Sequence, residues 1–231
     1  MNSAPVVFIL GAGPRIGASV AEKFSTKGYK VAIASRKGTD SKATKGIFSV
    51  KADLADPASI PALFEKVTAE FHTAASVVIY NAPSLTPPPA HDDIFSIPAV
   101  RFSHDLNVNT ISAYAAAQSA VAGWESLPKE TKKTFIYTGN MLNVAVLPVP
   151  LMVDLGVGKA ASAYWIGVAD TTLSSRGFRF FYADERQDGG KMKGTELDGP
   201  AHGEFYSQLA EHGKDIPWHA TFVKGQGYVK F

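Results

Sequence analysis

The sequence predicts a single α/β domain built on a doubly wound, mostly parallel sheet with helices on both faces, and three observations carry that prediction. Short unbroken apolar runs alternate with segments of helical periodicity, a glycine cluster stands directly after the first run, and such runs recur five more times before residue 183. Runs of this kind suit strands buried on both faces. Their alternation with helices suits parallel βαβ units with right-handed crossovers, hence a three-layer αβα sandwich. A length of 231 residues is enough for one well-buried core, so residues 1–231 are expected to form one domain.

The first strand is Val6-Val7-Phe8-Ile9-Leu10, ending at Gly11. Ile16, Val20 and Phe24 recur every fourth residue with Ala21 beside them, an apolar stripe that predicts a helix ending near Gly28. Val31-Ala32-Ile33-Ala34 is the second strand; residues 37–46 are polar, without a stripe, and predict a turn or irregular loop in place of a crossover helix. Ile47-Phe48-Ser49-Val50 is the third strand. Asp56-Pro57 then opens a helix, with a capping carboxylate and a proline at the first helical position. Its core face is Ile60, Leu63, Phe64, Val67 and Phe71.

Val77-Val78-Ile79-Tyr80 is a fourth strand, followed by a proline-rich loop over 83–89, an Ala-rich helix over about 102–124 and a fifth strand over 134–138. A helix over 159–175 leads to the sixth strand, 178–182. After Asp184 the pattern loosens into Gly-rich polar sequence with one helix at 204–211. The region 184–217 reads as a mobile flap over the site, and Thr221-Phe222-Val223 with Tyr228-Val229 as a closing edge strand.

Composition narrows the function. The formal charge of +2, from 23 basic and 21 acidic residues, lacks the one-sided excess of nucleic-acid binders, so nucleic acid is not an expected partner. The absence of cysteine excludes disulfides, thiolate zinc sites and a cysteine nucleophile. The start of the chain has neither the basic segment nor the long apolar stretch of a secretory signal. The longest apolar region, 144–157, is interrupted by Pro148, Pro150, Asp154 and Gly156 and is too short to span a bilayer. A cytoplasmic protein without a membrane partner is expected. His72, His91, His104, His202, His212 and His219 show no metal-ligand spacing, so no metal is expected. Asp92-Asp93 reads as a solvated pair, and Pro87-Pro88-Pro89 as a stiff pocket rim.

The chemistry begins at Gly11-Ala12-Gly13-Pro14-Arg15-Ile16-Gly17. Glycines there allow a tight strand-to-helix turn and let backbone amides approach a pyrophosphate at the helix N-terminus. A glycine turn without a ligand is the plain alternative, so the other strand ends decide. In order along the chain stand Ser35-Arg36, Asp53-Leu54, Asn81-Ala82, Asn109 and Lys159.

These motifs together resemble the short-chain dehydrogenase/reductase family over residues 6–183. Against its T-G-x-x-x-G-x-G signature, Leu10 replaces the threonine, Gly11 and Gly17 are retained, and Arg15 replaces the middle glycine. The resemblance implies a Rossmann-type fold binding NADP(H) through Gly11, Gly13, Arg15, Ile16, Gly17, Ser35, Arg36, Asp53, Leu54, Asn81, Ala82 and Lys159. Members that prefer NAD carry an acid where Ser35-Arg36 stands. A serine and an arginine instead admit and neutralise a 2′-phosphate, with Arg15 as the second half of the clamp. Asp53 matches the adenine-contacting aspartate, Asn109 the active-site asparagine, and Lys159 the lysine that holds the nicotinamide ribose. The resemblance also implies a small-molecule substrate and a homo-dimer or homo-tetramer, associating through the helix that carries Tyr164 and Trp165 and the helix before it.

At the catalytic motif the chain departs from the family. Where Y-x-x-x-K is expected it reads Leu155-Gly156-Val157-Gly158-Lys159, and none of its eight tyrosines has a lysine four positions later. The upstream I-S-S segment is replaced by Tyr137-Thr138-Gly139-Asn140, leaving Thr138 or Asn140 as the hydrogen-bond donor. Leucine has no proton to give, and a positioned acid is worth about 10²–10⁴ in rate. Three readings stay open. The proton for carbonyl reduction comes from water or another side chain, with Asp154 the nearest candidate; a helix cap or loop carboxylate is the plain alternative for Asp154. Or the substrate is an iminium or activated alkene, paired with an anionic Asp154 and walled by the apolar loop 141–151. Or the protein binds NADP(H) as a catalytically silent sensor or partner-binding protein.

Overall fold

The apolar runs become the centre of one sheet. In the computed structural model, which describes residues 4–42, 46–213 and 216–231, the described residues form nine strands. They are β1 (Val6–Leu10), β2 (Lys30–Ser35), β3 (Ser41–Lys42), β4 (Phe48–Lys51), β5 (Val77–Tyr80), β6 (Lys133–Thr138), β7 (Phe178–Arg186), β8 (His219–Val223) and β9 (Gly227–Tyr228). Their order is β3-β4-β2-β1-β5-β6-β7-β8-β9. The inner seven run parallel, and the short outer strands β3 and β9 pair antiparallel. The chain winds outward both ways from β1, so a crevice opens at the carboxyl ends of β1 and β5, where such sheets take ligands.

Helices α1 (Ile16–Thr26) and α6 (Gly199–Ala210) cover one face; α2 (Ile60–Phe71), α4 (Ser112–Trp124) and α5 (Val153–Leu173) cover the other. The stripe of α1, Ile16, Val20, Ala21 and Phe24, is buried against β1 and β5. Trp124 is fully buried, with its Nε1 donating to the Ala75 carbonyl at 2.9 Å. Phe205 of α6 stacks on Phe222 of β8 at 4.3 Å. Burying each such side chain stabilises the fold by about 1.5–3 kcal/mol.

Four boundaries differ from the sequence reading, each for a packing reason. The Ala-rich helix starts earlier, as α3 (Ala99–Leu106), and passes through a π-helical turn, Asn107–Ile111, into α4. Helix α5 starts six residues before Lys159; Gly156 and Gly158 disguise it, yet a Cβ at Gly158 would lie 2.4 Å from that of Asn109, so close helix contact selects glycine there. Strand β7 continues through Asp184, Glu185 and Arg186, whose charges are buried and paired. The expected flap at 184–217 divides: α6, capped by Asp198, packs on α1 with Gly199 against Ser19, and residues 187–198 arch between β7 and α6. Residues 43–45 of the expected loop and 214–215 of the expected flap lie outside the described residues.

Candidate active site

The nucleotide end of the crevice is built from backbone. Gly11 has φ +92°, and a Cβ there would sit 2.6 Å from the Ala82 amide nitrogen, so only glycine lets β1 and the end of β5 close together. Asn81 clasps that junction, its Nδ2 donating to the Gly11 carbonyl at 2.9 Å and its amide to that of Leu10 at 2.8 Å. Gly17 lies against Ala12, and buried Ile16 pins the first turn of α1 to the core. Gly13, by contrast, faces open space. Helix α1 has no side-chain cap and no acid in its first turn, so its positive end is turned toward an incoming anion.

At the end of β2, the Ser35 carbonyl accepts from the amides of Gly38 and Ala52, turning the chain so that Arg36 is exposed. Arg36 has no ion-pair partner among the described residues. Arg15 lies exposed in the glycine turn. Its Nη1 donates to the Thr195 carbonyl at 2.8 Å, tying the glycine turn to the 187–198 arch. That bond uses one of the five guanidinium donors. The Asp53 carboxylate closes a local turn by accepting from the Ala55 amide, and Leu54 is buried in the core.

The catalytic end is built from side chains. Tyr80, Tyr137 and Tyr182 stand at matching register on β5, β6 and β7 and form a stacked row, with centroids 5.9 and 5.6 Å apart. Two of their hydroxyls donate to carbonyls of the π-turn, Tyr80 to Val108 and Tyr137 to Asn109. A π-turn displaces backbone acceptors from regular helical pairing, and here tyrosine and Ser162 satisfy them. Asn109 is thereby fixed, and its side chain grips both the amide and the carbonyl of Ser84.

Lys159, one helical turn after Leu155, reaches over the Tyr137 ring at 4.4 Å and donates to the Thr138 carbonyl at 2.7 Å. Burial lowers its pKa to about 7, against the opposing pull of Asp184. Thr138 and Asn140 have different duties. Thr138 Oγ1 accepts from the buried hydroxyl of Tyr206 on α6. Asn140 Oδ1 caps Leu142, which leaves its amide group to donate. Gly139 between them is required, because a Cβ would enter the Tyr182 ring at 2.2 Å.

Residues 11–148 match the family profile described as enoyl-(acyl carrier protein) reductase. The short chain dehydrogenase/reductase dmxR12 of Cryptosporiopsis sp. (strain 8999) is 41% identical over 244 residues, covering 99% of this chain and 96% of that protein. This chain belongs to the short-chain dehydrogenase/reductase family. Among solved structures of the family's fold, a 3-ketoacyl-(acyl-carrier-protein) reductase from Brucella melitensis complexed with NADH aligns with TM-score 0.78 at 18% identity, over 96% of this chain and 97% of that one. A metagenomic short-chain oxidoreductase in complex with NADP aligns with TM-score 0.77 at 16% identity, over 96% and 97%. At such identities the likeness is one of fold. No helix of the described residues is long and apolar enough to cross a membrane.

For a short-chain dehydrogenase/reductase, Asp154 has an unexpected setting. Successive helix residues turn by about 100°, so Asp154 does not share the face of Leu155 and Lys159. It is fully buried, and its oxygens accept from the amides of Thr86 and Leu155. Asp105 of α3 sits beside it, accepting from the hydroxyls of Ser84 and Thr86. Sequence reasoning missed Asp105, Asp184 and Tyr206. Asp105 was within reach, lying one turn before Asn109 on the same helix, whereas Tyr206 is 68 residues from its partner Thr138. Trp165 packs on Tyr114 and Phe135 of its own chain, so of the two expected contact residues only Tyr164 is left exposed.

Proposed function

We propose that this chain is an NADP(H)-dependent oxidoreductase with an atypical active site, delivering hydride to a small carbonyl, imine or enone substrate. The observation that carries the proposal is the open face at Gly13 in front of the uncapped α1, with an exposed Arg36 and no acid at the end of β2. This surface fits a pyrophosphate at the helix end and a 2′-phosphate beside Arg36 and Ser35. Bound there, NADPH supplies the hydride. The chain's residues do the rest. Lys159 holds the ribose and, with Leu155 in the tyrosine's place, is the titratable group on that helix face. Its ammonium gives a proton from Nζ to the substrate oxygen and is recharged from solvent. The Asn140 amide orients the carbonyl, and the apolar side chains of the 141–151 loop, of which Val144 and Val146 are strongly exposed, form a wall for an apolar substrate. The exposed face of α4 and α5, with Tyr114, Val157, Tyr164 and Val168, and Ile111 of the π-turn before it, suits association with a second copy.

Purified protein with NADPH and panels of carbonyls, imines and enones tests the proposal through loss of the 340 nm cofactor absorbance (roughly, the reduced nicotinamide band). Turnover of any class supports it. Leu155 favours one other reading, a catalytically silent NADP(H)-binding protein. Tight NADPH binding with inertness across all three panels would select that reading.

A further inference from the structure

The reaction proposed above makes no use of Asp105 and Asp154, although both are buried and both bond Thr86, Asp105 through its hydroxyl and Asp154 through its amide. The groups around them are few. The chain after β5 contributes the Ser84 and Thr86 hydroxyls, both donated to Asp105, and the Thr86 amide, donated to Asp154 at 2.7 Å. Helix α5 contributes the Leu155 amide, at 2.7 Å from Asp154. Helix α3 contributes His104, half-exposed, whose Nδ1 is 3.5 Å from Asp105. No lysine or arginine pairs with either carboxylate among the described residues. Two adjacent buried carboxylates without a cation cannot both ionise cheaply, so the pair holds its last proton more tightly than an isolated carboxyl does.

The two environments decide which partner holds that proton. Burial raises Asp154, and the hydrogen bond with Asp105 raises it further, against the two amides. Burial also pushes Asp105 up, but the Ser84 and Thr86 hydroxyls and the bond from Asp154 outweigh it and hold Asp105 below its ordinary value. Asp154 thus holds a proton more tightly than Asp105 does.

We propose that Asp105 and Asp154 are positioning residues that share one proton and, through Ser84 and Thr86, latch the chain after β5 in the shape the nucleotide site needs. Ser84 is two residues beyond Ala82, whose amide presses on Gly11, and three beyond Asn81, which clasps the Gly11 carbonyl. Losing the proton sets two carboxylates against each other and frees Thr86, and the slack passes directly to the glycine turn. The latch stands on this geometry alone; its effect on cofactor affinity rests on the NADP(H) reading.

Two measurements on the full chain, from about pH 4 in the ordinary carboxylate range up to about pH 8, test it. The first, without nucleotide, is hydrogen-exchange protection of the segment 82–90, corrected for the intrinsic exchange rate. Protection falls with rising pH in the wild-type chain and stays level in Asp154→Asn, whose amide donates to Asp105 at every pH. Asp105→Asn, equally isosteric, is level as well. The second is the Kd for NADPH, which rises about tenfold more over the same range in the wild type than in either variant, the discharge of Lys159 being common to all three. Exchange profiles that are the same in all three proteins would overturn the latch. Expected exchange profiles with no NADPH binding at any pH would uphold the latch and sink the nucleotide reading instead.

Discussion

The two ends of the crevice are made in different ways. At β1 and β5 the site is backbone against backbone, with Gly11 and Gly17 admitting contacts that any Cβ would block and Gly13 left open to a ligand. At β6, β7 and α5 it is side chain on side chain. Stacked tyrosines hold the π-turn, the π-turn holds Asn109, and Lys159 lies over the same stack. The first construction fixes a backbone shape and tolerates little change. The second fixes individual donors, so it can lose one group, as at Leu155, and keep its architecture.

That contrast can be tested by restoring what is missing. Leu155→Tyr places a phenol one turn before Lys159, and carbonyl reduction is expected to rise by about 10²–10⁴ in kcat/KM. Unchanged rates would mean that the catalytic end lacks more than an acid. Gly11→Ala attacks the other end. With φ +92° and the Ala82 amide 2.6 Å from the new methyl, about 2 kcal/mol of strain is expected, lowering Tm by roughly 4–8 °C and removing NADPH binding. Gly28→Ala is the control. It has φ +83° with nothing nearby, so it should cost about 1 kcal/mol and leave binding intact. Equal effects on binding would erase the distinction between a shaped turn and a merely permissive one.

The smallest effect is on pH. Lys159 must carry its proton to donate it, and burial brings its pKa down to about 7. Turnover is therefore full below that value and declines about tenfold per pH unit above it. A plateau extending to pH 9 (roughly, two units beyond) would remove Lys159 as the proton source.

The same division explains how far the site could be read from residues alone. A turn that excludes Cβ atoms leaves glycines at fixed spacing, so Gly11, Gly13 and Gly17 were legible, as were the apolar strands and the stripe of α1. The places of Ser35-Arg36 and Asn81 at strand ends were legible because the apolar runs before them end there. The network at the other end leaves no local mark: Tyr80, Tyr137 and Tyr182 are neighbours only through sheet register. Buried charges misled the reading in the same way. Asp184, Glu185 and Arg186 look like loop residues until β8 and α6 supply their partners.

Titration calorimetry of the folded chain with NADPH, and separately with NADH, addresses the central claim most directly. The account predicts saturable heat with about one NADPH per chain and an affinity for NADH at least about tenfold weaker, the worth of a charge-assisted phosphate contact at Arg36. Absence of heat with NADPH would contradict it.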